Sequence, residues 1–176
     1  MTQNNFAESM LKGRMAETLF EEMMRVSGNT VYRFGYEAIV QNLVQLTEGF
    51  NRRSEVGEKI RSIPDFIVLD KKGEPLLVEV KFRARPNDPI HRDTVEILRI
   101  LEKFWGATLV LVNCWEQPYF RIAKPPYFDS KGQLQLKPLL SAAAWNVSPD
   151  AYEEYETLVH KYLAQTLIPK KKQLKP

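Results

Sequence analysis

In the first half of the chain, a segment with helical spacing of its hydrophobic residues is followed by one typical of a β-strand. Residues 6–27 carry apolar side chains at helical spacing, and Gly28 follows them, which predicts a helix that ends at this glycine. The apolar positions are Ala16, Leu19, Phe20 and Met23. β-branched and aromatic residues over 30–36 then predict a strand. A second helix is predicted over 38–46, and the polar, basic segment 51–62 is predicted to be a loop.

The middle of the chain predicts a hairpin, a helix and a buried strand. Two strands, 65–69 and 76–83, flank the turn Lys71-Lys72-Gly73. A helix is predicted from Asp88-Pro89, a capping residue followed by proline, to Trp105. Its buried stripe is expected to contain Ile97, Leu98, Leu101, Phe104 and Trp105. The wholly apolar run 107–112 predicts a strand that is covered on both faces, so the strand–helix–strand passage indicates a parallel crossover.

The last third of the chain adds to this unit. Tyr119 to Ile122 predicts a further strand, and Ser148-Pro149 opens a last helix. The predicted order is therefore helix, strand, extra helix, hairpin, helix, strand and C-terminal additions. That order is typical of a three-layer α/β domain, with a mixed central sheet flanked by helices.

Composition narrows the class of protein. The 176 residues suit one domain, expected over 1–168, and no apolar run approaches the ~18 residues of a membrane span. The single cysteine, Cys114, excludes an internal disulfide, and two histidines leave no ligand cluster for structural zinc. A cytoplasmic protein is expected.

The net charge of +3 comes from the C-terminal end of the chain. Residues 169–176 contain four lysines and no acid, so the rest of the chain has 21 basic and 22 acidic residues. This segment is expected to be a disordered, basic tail, with capture of nucleic acid or a localisation signal as alternatives. Any binding of a polyanion by the body of the protein must come from local patches.

The hairpin has a predictable register. A three-residue loop favours glycine in its third position, where the backbone adopts a left-handed conformation, and Gly73 occupies that position. Asp70 then lies opposite Glu74, and counting back through the ladder sets Asp65 opposite Glu79. Directly opposed residues project from the same face, with Cβ atoms ~5 Å apart.

Two carboxylates at that spacing repel each other unless a cation compensates them. A divalent metal ion supplies the cation, and hard oxygen ligands suit Mg²⁺ or Mn²⁺. Strand periodicity places Lys81 on the same face as Glu79, where its ammonium can hold a phosphate or orient a water. Arg83 and Arg85 extend this basic edge and are candidate phosphate contacts.

These residues resemble the PD-(D/E)XK, or restriction-endonuclease-like, nuclease superfamily. The resemblance lies in Pro64-Asp65, thirteen intervening residues and Glu79-Val80-Lys81, preceded by Gly13-Arg14-Met15-Ala16-Glu17 on the first helix. It covers residues 10–113 and implies a restriction-endonuclease-like core with the order α-β-β-β-α-β.

The same resemblance implies metal-dependent hydrolysis of phosphodiester bonds. It makes Glu17, Asp65 and Glu79 catalytic residues that bind Mg²⁺ or Mn²⁺, and it makes Lys81 the catalytic lysine. Glu21, one helical turn after Glu17, is the rival candidate for the ligand on the first helix.

Candidate contacts to nucleic acid lie just before the hairpin. They are Arg52, Arg53, Lys59 and Arg61. Phosphate contact and simple solubility are both open for this basic segment.

The resulting prediction is a magnesium-dependent nuclease that acts on DNA, with RNA as the alternative substrate. No membrane partner is expected, and the chain is compatible with a homodimer. One rival function is a module that binds nucleic acid on the same fold without cutting it. The other is a docking protein that presents its late aromatic residues, which are Trp115, Tyr119, Phe120, Tyr127 and Phe128.

Overall fold

The computed structural model describes residues 3–35, 51, 54–84, 92–142 and 144–165. The helices are α1 (Gln3–Val26), α2 (Glu55–Arg61), α3 (Arg92–Phe104) and α4 (Pro149–Val159), the last continued by a π-helical turn (His160–Ala164). The strands are β1 (Val31–Arg33), β2 (Phe66–Leu69), β3 (Pro75–Arg83), β4 (Thr108–Asn113), β5 (Phe120–Ala123) and β6 (Lys137–Pro138). A short 3₁₀ helix (Leu139–Ser141) follows β6.

The described strands form one mixed sheet in the order β1-β2-β3-β4-β5-β6. All neighbouring pairs are antiparallel except β3 and β4, which run parallel and are connected through α3. The predicted crossover is therefore confirmed. This strand order puts β3 and β4 in the middle of the sheet, where neither has a free edge.

Alternate residues of a strand point to opposite sides of the sheet, so each strand can contribute to a core on either face. Both faces of this sheet are covered. One core cluster joins Val80 and Val110 of the sheet to Phe20 of α1 and Val159 of α4. A second cluster packs other residues against α3; its fully buried members are Leu98, Leu101, Ala107, Leu109, Ala123 and Tyr127. Helices thus lie on both sides of a mixed sheet, which confirms the predicted α/β fold class.

The hairpin between β2 and β3 forms in the predicted register. Gly73 has φ +84° and its N–H donates to the carbonyl of Asp70 at 3.0 Å. The Asp70 carboxylate accepts hydrogen bonds from the backbone N–H groups of Lys72 and Glu74, which closes the turn locally. Phe66 pairs with Val78, so the next residues outward, Asp65 and Glu79, are opposed.

Two expectations about local structure are wrong. The segment 51–62 contains helix α2, which begins after Ser54, whose hydroxyl accepts a hydrogen bond from the N–H of Gly57 at 3.1 Å. Acidic residues in its first turn and basic residues in its last turn interact favourably with the helix dipole, a signal that a purely apolar pattern misses. Ile97 is 40% exposed instead of buried, because the stripe of α3 that meets the sheet is narrow and centred on Leu98 and Leu101.

Other predicted features lie outside the described residues. They are the helix over 38–46, the start of the α3 helix at Asp88-Pro89, and the basic tail. Within the described residues, no helix combines the length and the apolar character needed to cross a bilayer.

Candidate active site

A cavity of about 300 Å³ opens where β1, the start of β2 and the middle of β3 meet the flank of α1. Three carboxylates line it, from Glu17, Asp65 and Glu79. Four cationic side chains line it as well, from Arg14, Arg33, Arg61 and Lys81. The cavity therefore combines acidic groups that repel each other with cations that attract an anion.

Asp65 is fixed by the backbone around it. Its Oδ2 atom accepts a hydrogen bond from the N–H of Val80 at 2.8 Å, which ties the start of β2 to the middle of β3. Its carbonyl accepts from the N–H groups of Phe34 at 2.8 Å and Gly35 at 3.1 Å. These contacts hold the aspartate between β1 and β3 and keep its carboxylate beside the position of Glu79.

Glu79 is buried, with 5% of its surface exposed, and forms an ion pair with the ammonium of Lys81. Burial, together with the charges of Asp65 and Glu17, outweighs the opposing effect of Lys81 and raises the pKa of Glu79 to about 7. Burial alone would lower the pKa of Lys81, but the neighbouring charges of Glu79 and Asp65 outweigh it and raise that pKa. Lys81 is therefore a cation at neutral pH.

The two candidate acids of α1 differ in their surroundings. Glu17 lines the cavity, and its charge acts on the carboxyl of Glu79. Glu21 is buried and forms ion pairs with Arg25 at 2.9 Å and Arg33 at 2.5 Å. Burial would raise the pKa of Glu21, but its hydrogen bonds with Arg33 and Arg25 outweigh this and lower it. The carboxylate of Glu21 is thus paired with two arginines. Glu17 is the acid of α1 that lies in the cavity with Asp65 and Glu79.

The predicted basic contacts separate into three groups. Arg61 lines the cavity. Lys59 does not; its ammonium lies 5.7 Å from the centre of the Trp105 ring. Arg83 donates from Nη1 to the carbonyl of Phe82 at 2.7 Å and is also absent from the cavity lining. Residues 52, 53 and 85, the remaining arginines of the prediction, lie outside the described residues.

Five lining residues were not predicted as site residues from the sequence: Arg14, Arg33, Gly35, Ile63 and Phe66. A Cβ atom on Gly35 would stand 3.5 Å from the Asp65 Cα and 3.8 Å from its Oδ1 atom. The glycine therefore leaves open the space directly beside this carboxylate. A glycine inside the predicted strand 30–36 was the available signal for such a close approach.

The donor set suits a hard divalent cation, because carboxylate oxygens are the ligands that Mg²⁺ and Mn²⁺ prefer. Gly35 and Asp65 both line the cavity, and a side chain at position 35 would be in contact with this carboxylate. Within the described ranges, however, no three His, Cys, Asp or Glu side chains converge closely enough to hold a metal together. Glu79 is engaged by Lys81 instead. The residues thus fit the metal in their chemistry, and Glu79 would have to turn from the ammonium towards Asp65.

Comparison of the sequence with known protein families and with characterised proteins found no match. Among solved structures, the chain is similar to Hjc of Archaeoglobus fulgidus, a Holliday junction resolvase from an archaeal hyperthermophile. The two share 14% identity and a TM-score of 0.39 over 81% of this chain and 98% of that one.

Proposed function

We propose that this protein is a divalent-metal-dependent nuclease that hydrolyses phosphodiester bonds, with DNA as its substrate. The observation that carries this proposal is the cavity in which Glu17, Asp65 and Glu79 meet Lys81 and three arginines. The sequence pattern around Asp65 and Glu79-Val80-Lys81 supports it independently, through the resemblance to restriction-endonuclease-like nucleases. That resemblance is also what favours DNA over RNA.

The charge pattern suits cleavage better than binding alone. A surface that only binds nucleic acid gains affinity from cations and loses it from acids near the phosphates. Here the most buried acid, Glu79, is held in a site that opposes its ionisation, since its pKa is raised to about 7. A divalent cation would remove that opposition and, with Lys81 and the arginines, would make the cavity attractive to a phosphodiester.

In this proposal each side chain has a separate task. Asp65, Glu79 and Glu17 would hold Mg²⁺ or Mn²⁺, which supplies Lewis-acid polarisation of a phosphoryl oxygen and lowers the pKa of water. Lys81 remains charged, so it would stabilise the negative charge that develops on the phosphate and orient the attacking water. A general-base role does not suit it, because its pKa is raised. Arg61 would hold the substrate backbone at the rim.

The runner-up is a nucleic-acid-binding module that does not cut. Two observations favour it: Glu79 is paired with the ammonium of Lys81, and no three-ligand cluster is formed among the described residues. The docking alternative has lost its basis, because three of its five aromatic residues are buried in the core. These are Tyr119, Phe120 and Tyr127.

A cleavage assay separates these functions. Wild type would be incubated with plasmid, single-stranded and branched DNA and with RNA, in Mg²⁺, in Mn²⁺ and in chelator. The proposal expects cleavage only with metal, and its loss in Asp65→Asn. Glu74→Gln is the matched control, since it removes an exposed acid from the same hairpin and should cut like wild type.

If none of the four substrates is cleaved with either metal, a nucleic-acid-binding module that does not cut is the better description of this protein. Equal cleavage by wild type and Asp65→Asn would assign the activity to another site or to a contaminant.

A further inference from the structure

Arg33 lies at the end of β1 and projects into the cavity wall, although nothing in the sequence pattern marked it. Its backbone position is set by pairing with Phe66 across the sheet. Its guanidinium carbon lies 5.8 Å from the centre of the Phe66 ring. About half of the side chain, 53%, remains exposed, so the guanidinium is accessible from the cavity.

Glu21 holds this guanidinium in place from behind. Oxygen Oε2 of Glu21 accepts from Nε of Arg33 at 2.8 Å and lies 2.5 Å from its Nη2 atom. The carboxylate itself is only 8% exposed, so it is a fixed anchor rather than a mobile surface group. An arginine has five N–H donors in a rigid fork, and these two bonds use two of them. The fork is thereby oriented before any ligand arrives.

Arg25 provides a comparison within the same network. It donates from Nη2 to Oε1 of Glu21 at 2.9 Å and to the carbonyl of Val31 at 2.7 Å. Arg25 therefore satisfies the buried carboxylate and also braces β1, but it does not line the cavity. One arginine is enough to pair with one buried carboxylate. The second arginine, Arg33, is the one that faces the site.

We propose that Arg33 holds a phosphate of the nucleic-acid backbone in this cavity and that Glu21 is its positioning residue. This inference rests on the proposed function, since it names the contact that places a phosphodiester near Asp65 and Glu79. An arginine fork fits phosphate oxygens bidentately, and a fork that is already oriented loses less entropy on binding. Glu21 is thus a support for a cation and not a metal ligand.

If Glu21 positions Arg33, its replacement should change the affinity for nucleic acid in the direction opposite to that expected from charge alone. Glu21 is an acid close to a proposed polyanion site, so by charge alone Glu21→Gln should tighten binding of nucleic acid. If Glu21 instead positions Arg33, the same substitution should weaken binding. The sign of the change separates the two accounts.

The test measures binding of a labelled oligonucleotide, single-stranded and duplex, across a series of salt concentrations. It is run in chelator and repeated with Mg²⁺. Each phosphate contact contributes about 0.7–0.9 to the slope of log affinity against log salt. Arg33→Gln should lower the slope by about that amount, whereas the matched control Arg25→Gln should leave it unchanged. In both variants Glu21 keeps one arginine partner, so their melting temperatures should be similar.

Two further variants protect the test against misfolding. Arg33→Lys keeps the charge and loses the fork, so it should keep the salt slope but bind more weakly and raise the KM for cleavage with little change in kcat. Glu21→Gln should show the same pattern. A merely structural role for Arg33 predicts instead a lower melting temperature with unchanged KM.

The outcomes distinguish this inference from the proposed function. Equal salt slopes for Arg33→Gln and Arg25→Gln, in a wild type that cuts, would overturn the inference and leave the nuclease intact. A selective loss of slope in Arg33→Gln, in a wild type that cuts nothing, would support the inference and reject the nuclease. A wild type that neither binds nor cuts either oligonucleotide would overturn both.

Discussion

Replacement of Glu79 by glutamine tests the electrostatic basis of the site. In the protein without metal, the Glu79 carboxylate is buried beside Asp65, with Lys81 as its only paired cation among the described residues. Glutamine has nearly the same shape as the protonated acid and carries no charge. Glu79→Gln should therefore be more stable than wild type at pH values at which Glu79 is ionised.

The magnitude follows from the difference between the folded and unfolded pKa of Glu79. The folded value of about 7 lies about 2.5 above the ordinary value of 4.5. Because the folded state keeps its proton over this range while the unfolded state loses it, wild-type stability falls as pH rises from 4.5 through 7. At about 1.4 kcal/mol for each pH unit, the loss is about 3–4 kcal/mol. The unmet hydrogen bonds of a buried amide make this an upper bound.

Urea unfolding in chelator, at a series of pH values between the two pKa values and above them, measures the effect. The difference in unfolding free energy between Glu79→Gln and wild type should be near zero at the acid end and should favour the variant by up to about 3–4 kcal/mol above pH 7. Groups that do not interact with Glu79 titrate alike in both proteins and cancel in this difference. Glu74→Gln, which removes an exposed acid, is the control and should give a flat line.

Metal should offset most of this difference in stability. An ion that binds only the folded state stabilises it by ~2.7 kcal/mol at a hundredfold excess over its dissociation constant. Wild type should gain this with Mg²⁺ or Mn²⁺, and Glu79→Gln should not. A difference curve that stays flat with pH, or a wild type that is more stable than Glu79→Gln in chelator at pH 8, would refute the account of Glu79 as a buried, opposed carboxylate.

Three further predictions concern other parts of the chain. Lys81→Ala should keep the stabilisation by metal, measured by thermal melting, but lose cleavage, whereas Asp65→Ala should lose both. Cleavage by Lys81→Ala at the wild-type rate would contradict the catalytic role of Lys81. Truncation after Ile168 should leave the melting temperature nearly unchanged. It should lower the slope of log affinity for DNA against log salt by about 0.9 for each tail lysine that contacts phosphate. An unchanged slope would assign the tail to solubility or to another partner. Gly73→Ala should lower the free energy of unfolding in urea by about 1–2 kcal/mol, because the φ of +84° at this position strains any residue with a side chain. Gly13→Ala in α1 should instead raise it by about 0.5–1 kcal/mol. Equal effects of the two substitutions would reject the turn assignment.

The hairpin was predictable because every determinant of its register is local. Gly73 sets the turn, the alternation of Val78 and Val80 with Glu79 and Lys81 sets the faces, and the ladder then carries Asp65 opposite Glu79. No contact from elsewhere in the chain is needed for that inference. The same holds for the last helix, which begins after Ser148 as its capping side chain and following proline predict.

Local patterns were insufficient wherever several faces of an element were chemically similar. Helix α2 carries few apolar residues, so its capping residues, and not its hydrophobic pattern, were the evidence for it. Ile97 is as apolar as Leu98, and only the packing of α3 against the sheet decides which of them is buried.

The sequence by itself thus determined the α/β order, the register of the hairpin and the pairing of Asp65 with Glu79 and Lys81, since turn chemistry and the two-residue period of a strand specify all of these. Only the tertiary structure decided which acid of α1 faces the site. Glu17 and Glu21 lie one helical turn apart, and the roll of α1 against the sheet directs the first to the cavity and the second to Arg25 and Arg33. The extent to which Glu79 is buried, and the presence of Arg33 in the same cavity, depend on contacts between segments far apart in the chain, so no local pattern could fix them.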